Sequence, residues 1–281
     1  MQTMPKRYYA FFTVPTTIAF LISFFIPFLL GIYLSFTEFT TVTDSRWVGV
    51  SNYIRAFAQD RDFINATIFT AKFAVVSVVL INLFAFLFAL LLTQKIRGTN
   101  VFRTIFFMPN LIGGIVLGYI WQLIINGILY RFGVDLTYSA NYGFWGLVVL
   151  MNWQMVGYMM IIYIAGIQSI PVELYEAAKI DGANAWQILK SITIPLVMPA
   201  VTICTFLTVT NSFKLFDQNL ALTAGAPAKK TAMLALDIFN TFYGRSGYEG
   251  VGQAKAVVFF LFVGLIVLMQ LRISRRREFE A

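Results

Sequence analysis

Six long stretches of this chain contain no Asp, Glu, Lys or Arg, and they decide what it can fold into. They are residues 8–37, 73–94, 104–130, 136–172, 191–213 and 256–271; the next longest, 218–228, has only 11 residues. A helix needs about 20 predominantly apolar residues to cross roughly 30 Å of hydrocarbon. Five of the runs reach that length. The sixth approaches it, and Lys255 and Arg272 at its edges are expected to snorkel to the headgroups. The spacing predicts spans near 10–35, 73–94, 104–126, 143–168, 193–213 and 254–272. Alternating barrel strands are excluded because the runs are apolar on every face. The expected fold is an all-α membrane protein with six transmembrane helices in a single domain over 1–281.

Composition removes the soluble alternatives. The 281 residues are 59% hydrophobic and 12% charged, whereas soluble domains carry roughly 25% charged residues. Cys204 has no intrachain partner for a disulfide scaffold. The first span is longer than a signal-peptide core and lacks a small-x-small cleavage site after it, so it is expected to remain as an anchor.

Six spans put both termini on one side. With a cytoplasmic N-terminus, the inside segments hold Lys6, Arg7, Lys95, Arg97, Arg103, Lys179, Lys190, Arg272, Arg275, Arg276 and Arg277. These eleven fall in about 50 residues, whereas the longer outer segments hold nine, as the positive-inside rule requires. Eight of the thirteen acids fall outside. The net charge of +8 is therefore a topology signal, and no nucleic-acid partner is expected.

The spans also lack chemistry. The chain has no His, and none of the predicted spans contains Asp or Glu. Proton-driven transporters usually carry such groups as relays. No catalytic residues, metal site or phosphate-binding glycine loop can be assembled. If the chain moves a solute uphill, the energy is expected from another subunit. A membrane-embedded enzyme or a structural scaffold is disfavoured for the same reason. Gly114 and Gly118 form a small-xxx-small pair where another helix could approach.

The loop 169–192, between spans four and five, is the charged exception. Pro171 can open a short helix with Glu173 and Glu176 in its first turns, where the helix dipole favours acids. Leu174, Ala177 and Ala178 make a narrow small-and-apolar stripe suited to a shallow groove. Gly182 ends that helix as a left-handed cap, a second helix covers 184–190, and Pro195 opens span five. Read without further information, this is an amphipathic connector on the membrane surface.

The same residues resemble a known family. Glu176-Ala177-Ala178, three residues, Gly182, nine residues and Ile192-Thr193-Ile194-Pro195 match the coupling motif of bacterial ABC importer permeases, with Ile194 in place of the usual Leu. The resemblance extends to Phe102–Pro109, Trp47–Tyr53 and Leu222–Pro227, and looks like the carbohydrate-uptake branch. It is similar there to the first of two permease subunits of the maltose, multiple-sugar and glycerol-phosphate type. Ala226 departs from the two glycines common before that proline.

The resemblance implies a type I ABC importer permease in the bacterial cytoplasmic (inner) membrane. Glu176, Ala177, Ala178 and Gly182 would couple to the ATPase. The partners implied are a second permease, two ATP-binding subunits, an extracytoplasmic solute-binding protein and a sugar or oligosaccharide. The chain itself would be non-catalytic and hold no cofactor, ATP and magnesium residing on the partner. The alternative is an importer for glycerol-phosphate or another small polar solute, to which only Lys214 points.

Sugar recognition needs amides and hydroxyls beside aromatic faces in a mid-membrane cavity. Asn152, Trp153 and Tyr158 in span four, and Asn211 and Ser212 at the outer end of span five, are the first candidates, ahead of Trp121 and Gln122 in span three. Helix-to-helix hydrogen bonding is the competing role for each. The segment 214–253 is expected on the extracellular side.

Overall fold

A computed structural model describes residues 6–41, 43–94 and 97–278; Lys95, one of the cations assigned to the inside, lies outside the described residues. The chain opens with α1 (Thr13–Leu34), strands β1 (Thr37–Phe39) and β2 (Ser45–Trp47), and α2 (Ser51–Ile54). Then come α3 (Arg61–Leu92), α4 (Thr99–Phe107), α5 (Gly114–Leu129), α6 (Ala140–Gln168) and α7 (Val172–Ile180). It continues as α8 (Ala185–Leu196), α9 (Met198–Phe213), α10 (Asp217–Leu222), α11 (Leu234–Gly244) and α12 (Glu249–Glu278). Among the described residues, α1, α3, α5 with its 3₁₀ continuation to Phe132, α6 and α12 are each long and apolar enough to cross a bilayer, and the bent pair α8–α9 meets that test only when taken together, as a sixth candidate. Contacts group the chain into two compact units, Met1–Phe63 with Ile238–Phe260 and Ile64–Asp237 with Leu261–Ala281, where the sequence reads as one domain.

Charge-free runs locate the hydrocarbon but not the helix ends. α3 begins at Arg61, twelve residues before the predicted 73, and carries Arg61, Asp62 and Lys72. Its 32 residues extend about 48 Å at 1.5 Å per residue, well past the bilayer core. The predicted span over 104–126 is not one helix. Pro109 sits in a 3₁₀ turn (Met108–Leu111), Ile112 and Gly113 are extended, and α5 starts only at Gly114. A proline cannot continue the ladder of backbone bonds, so the polypeptide turns there instead.

The span predicted over 193–213, which Pro195 was expected to open, also differs. α8 begins earlier and contains Pro195, and the chain bends by 66° at Val197 before α9. Pro195 lies in the last turn of α8 and Pro199 in the first turn of α9, where its missing N–H costs nothing. A π-helical turn at Leu189–Thr193 precedes Pro195, so the regular helix ladder is already interrupted there.

In the first unit, α1 is apolar all round and keeps its side chains exposed, which suits a lipid solvent rather than water. The antiparallel hairpin β1–β2 pairs Thr37 with Trp47 and Phe39 with Ser45, a small β element that hydropathy does not show. The buried Asn52 amide donates to the Ser35 and Thr37 carbonyls and pins the hairpin's start.

The same unit corrects the reading of Lys255. Rather than snorkelling, Lys255 is 0% exposed and its Nζ lies 3.0 Å from Asp60 Oδ2 and 2.7 Å from Thr241 Oγ1. Arg245 reaches Asp60 at 2.9 Å and Asp62 at 3.2 Å. Burial by itself would push the Asp60 carboxyl up. The Lys255 hydrogen bond and charge, the Arg245 charge and the Asp62 N–H outweigh that and hold it below the ordinary carboxylate range.

In the second unit α6 is the central post, with two-thirds of its most apolar stretch buried. Leu147, Leu150, Met151, Met159, Met160 and Tyr163 from α6 pack with Phe73, Ile81 and Ala85 from α3 and Cys204 from α9. Helices in lipid gain little from hydrophobicity against each other, so close approach matters. At Gly157 a Cβ would overlap the Phe106 carbonyl, so α6 meets α4 backbone to backbone. The Gly114 and Gly118 pair likewise receives α10, with Asp217 and Ala221 Cβ atoms within 2.7 Å of where their own Cβ atoms would stand.

Candidate functional site

Two features stand out in the second unit: an exposed helix pair and a polar seam. In the pair, Glu173 sits in the first turn of α7 and Lys179 in the last, complementing the helix dipole. α7 closes with Gly182 at φ +77°. The Ala183 N–H bonds the Ala178 carbonyl (2.9 Å) and the Gly182 N–H bonds that of Lys179 (3.1 Å). This is the Schellman arrangement, which needs a left-handed residue and favours glycine. Asn184 then caps α8, exchanging hydrogen bonds with Gln187 at 2.9 and 2.8 Å. The Tyr175 hydroxyl, 3.3 Å from Thr193 Oγ1 in the later turns of α8, ties the two helices of the pair to each other.

Of the four residues assigned to coupling, Glu176, Ala177 and Gly182 are exposed and Ala178 is half-buried. Around them Val172, Ile180 and Trp186 point outward, Ile180 with 86% of its surface bare and Trp186 with 68%. Large apolar side chains that exposed, on a segment rich in charge, mark a contact surface.

The polar seam runs along α5, α6 and α10. The Gln218 amide donates to Gln154 Oε1 at 2.8 Å, and the Gln154 amide donates to the Ile112 carbonyl at 3.4 Å. That carbonyl is free to accept because the chain is extended at Ile112. Gln122 donates to the Leu222 carbonyl at 3.1 Å, and Trp121 packs edge-on against Trp153 with ring centroids 5.6 Å apart.

The sequence-chosen pathway residues divide. The structure brings Trp121, Gln122 and Trp153 to this seam, with Trp153 45% exposed. Asn152 and Asn211 instead donate to the carbonyls four residues back, Val148 (2.8 Å) and Leu207 (2.9 Å), while Asn152 Oδ1 is buried without a protein partner. Ser212 is buried against the Met151 sulfur at 3.9 Å, and the Tyr158 ring faces Phe107 at 6.3 Å.

Two polar clusters were not singled out from sequence. The Gln154–Gln218 pair joins a span residue to one in a segment read as extramembrane. The other is a relay in which the Tyr163 hydroxyl donates to Asn82 Oδ1 (2.7 Å) and Asn82 donates to Thr208 Oγ1 (3.0 Å). It links α3, α6 and α9. An Asn in the apolar run 73–94 was its one visible signal.

Membrane-spanning helices with a half-buried polar seam between them, and an exposed helix pair leading into the bent fifth span, are the build of a transport permease. The chain belongs to the family described as binding-protein-dependent transport system inner membrane component, whose model matches residues 96–279. It is 45% identical over 97% of its length, and 96% of the relative's, to the probable starch degradation products transport system permease protein AmyD of Thermoanaerobacterium thermosulfurigenes. It is 29% identical to the multiple sugar-binding transport system permease protein MsmF of Streptococcus mutans over 96% of both chains. It is 31% identical to the trehalose/maltose transport system permease protein MalF of Thermococcus litoralis, over 86% of this chain and 84% of that one.

Among solved structures, a chain of a bacterial alginate ABC transporter, crystallised with an alginate pentasaccharide-bound periplasmic protein, superposes with a TM-score of 0.81. The match covers 97% of this chain and 96% of that one at 22% identity. The fold is therefore that of a type I ABC importer permease, as the sequence motif implied.

Proposed function

We propose that this chain is one transmembrane half of an ATP-driven importer for a sugar or oligosaccharide. It pairs with a second permease, two ATP-binding subunits and an extracytoplasmic binding protein in a bacterial inner membrane, with both termini cytoplasmic. The observation that carries the reading is the capped α7–α8 pair. It presents Glu176, Ala177 and Ala178 beside bare Ile180 and Trp186, a surface built to seat in a groove of another subunit. ATP and magnesium belong to that subunit, and its closure would pull on α7 and reorient the spans.

The substrate class is supported by the sugar-named relatives and by the seam's chemistry. Amides (Gln122, Gln154, Gln218) and indole rings (Trp121, Trp153) suit neutral polyols. The glycerol-phosphate reading is not favoured: the seam carries no arginine or lysine, and Lys214 is exposed.

The test is reconstitution of the complex in lipid with its binding protein. ATP hydrolysis should rise when the binding protein is loaded with sugar, and Gly182→Pro should abolish that rise. A Gly182→Pro complex that assembles and keeps wild-type stimulation defeats the coupling assignment. Stimulation by glycerol-phosphate and by no sugar defeats the substrate class.

A further inference from the structure

The junction between α3 and α4 holds a groove of about 330 Å³ lined only by Phe88, Leu91, Leu92, Phe102 and Phe106. It takes no part in the seam or in the coupling surface. α4 is amphipathic: Val101, Phe102 and Ile105 are exposed apolar residues, while Thr99, Asn100, Arg103 and Thr104 carry the polar face. A short helix of that kind lies at the boundary between headgroups and acyl chains. Phe102 and Phe106, one turn apart, supply one wall of the groove.

Arg103 borders the groove, and Arg97 immediately precedes Gly98, where a Cβ would stand 4.0 Å from the Phe102 ring. Arg97 is exposed on the turn that leads into α4. Arg103 donates from Nη2 to the Leu92 carbonyl at 3.1 Å, which fixes its guanidinium beside a groove-lining residue, and its buried Nε has no protein partner. An arginine presents a planar fork of donors suited to phosphate. Leu92 thus belongs both to the apolar wall and, through its carbonyl, to the cationic rim.

We propose that this groove is a binding site for one anionic phospholipid, its acyl chain against Phe88, Leu91, Phe102 and Phe106 and its phosphate at Arg97 and Arg103. The charge chooses the occupant. A protein helix would fill the apolar wall equally well but would leave two arginines to be matched, whereas a phospholipid supplies both parts in one molecule. Each arginine near a lipid surface favours an anionic headgroup by about fivefold.

The experiment is native mass spectrometry of the intact complex, released from nanodiscs containing equal phosphatidylglycerol and phosphatidylcholine. The wild type should retain phosphatidylglycerol over phosphatidylcholine by at least about fivefold. Arg97→Gln, at an exposed position, should reduce that ratio by about fivefold. Leu91→Trp, which fills the groove, should lower retention of both lipids. Equal retention of the two lipids by wild type, or a ratio unchanged in Arg97→Gln, overturns the proposal. So does a photo-crosslinker at Leu91 that captures a protein chain in place of lipid.

Discussion

The ammonium of Lys255 and the carboxylate of Asp60, 195 positions apart in sequence, lie 3.0 Å from each other in a pocket that hides Lys255 entirely. Asp60 keeps 7% of its surface, while Asp62, the other acid that Arg245 reaches, keeps 36%. Removing one partner of a buried pair costs about 3–5 kcal/mol, whereas an exposed pair contributes about 1 kcal/mol or less. Asp60→Asn should therefore lower the thermal midpoint of the detergent-purified chain far more than Asp62→Asn. Equal midpoints for the two variants would show that the buried pair carries no special weight.

The same carboxylate sets an acid limit. Its folded-state pKa lies below the ordinary 3.8. Asp60 therefore contributes stability that is present above the unfolded value and lost as pH falls through the lowered folded value. Unfolding followed from pH 5 downward should show a steeper loss for wild type than for Asp60→Asn, with the curves converging in strong acid. Parallel curves through that window would rule the contribution out.

Gly157 tests the backbone contact between α6 and α4. A Cβ there overlaps the Phe106 carbonyl, which cannot move aside as a side chain could. Gly157→Ala should cost about 1–3 kcal/mol or more, as overpacking does. Gly127→Ala in α5, where a Cβ meets nothing within 4 Å, should be neutral or stabilising by up to about 1 kcal/mol. Folded yield and midpoint measured side by side decide the matter.

The docking surface proposed for α7 and α8 can be probed without touching the fold. Ile180 is 86% exposed, so Ile180→Asp should leave the chain's own stability within about 0.5 kcal/mol. It should nonetheless reduce co-purification with the ATP-binding subunit and sugar-stimulated ATP hydrolysis. A variant that co-purifies and hydrolyses like wild type would remove Ile180 from the docking surface.

Much of the architecture was readable from where charges are missing, because hydrocarbon excludes them whatever the fold. The helix pair was readable for a second reason: Pro171, Gly182 and Asn184 each act on their own few residues, and local signals survive in a linear sequence. Long-range pairings left no such trace. Lys255 reads as a snorkelling edge residue until Asp60 is brought beside it. Gln218 reads as part of an extramembrane segment until α10 packs onto Gly114 and Gly118 and carries its amide to Gln154. Pro195 reads as the opening of the fifth span, but whether Pro195 and Pro199 kink, bend or start a helix depends on the neighbours that re-satisfy the freed carbonyls.

The bend at Val197 works as a crank. α8 is 12 residues from Ala185 to Leu196, an arm of about 18 Å. Because it meets α9 at 66°, only about two-fifths of any thrust along the arm passes down the axis of α9, and about nine-tenths acts across it. Whatever grips the far end of that arm swings the fifth span sideways rather than driving it through the bilayer like a piston. A motion of that kind requires no change in how deeply the span is immersed.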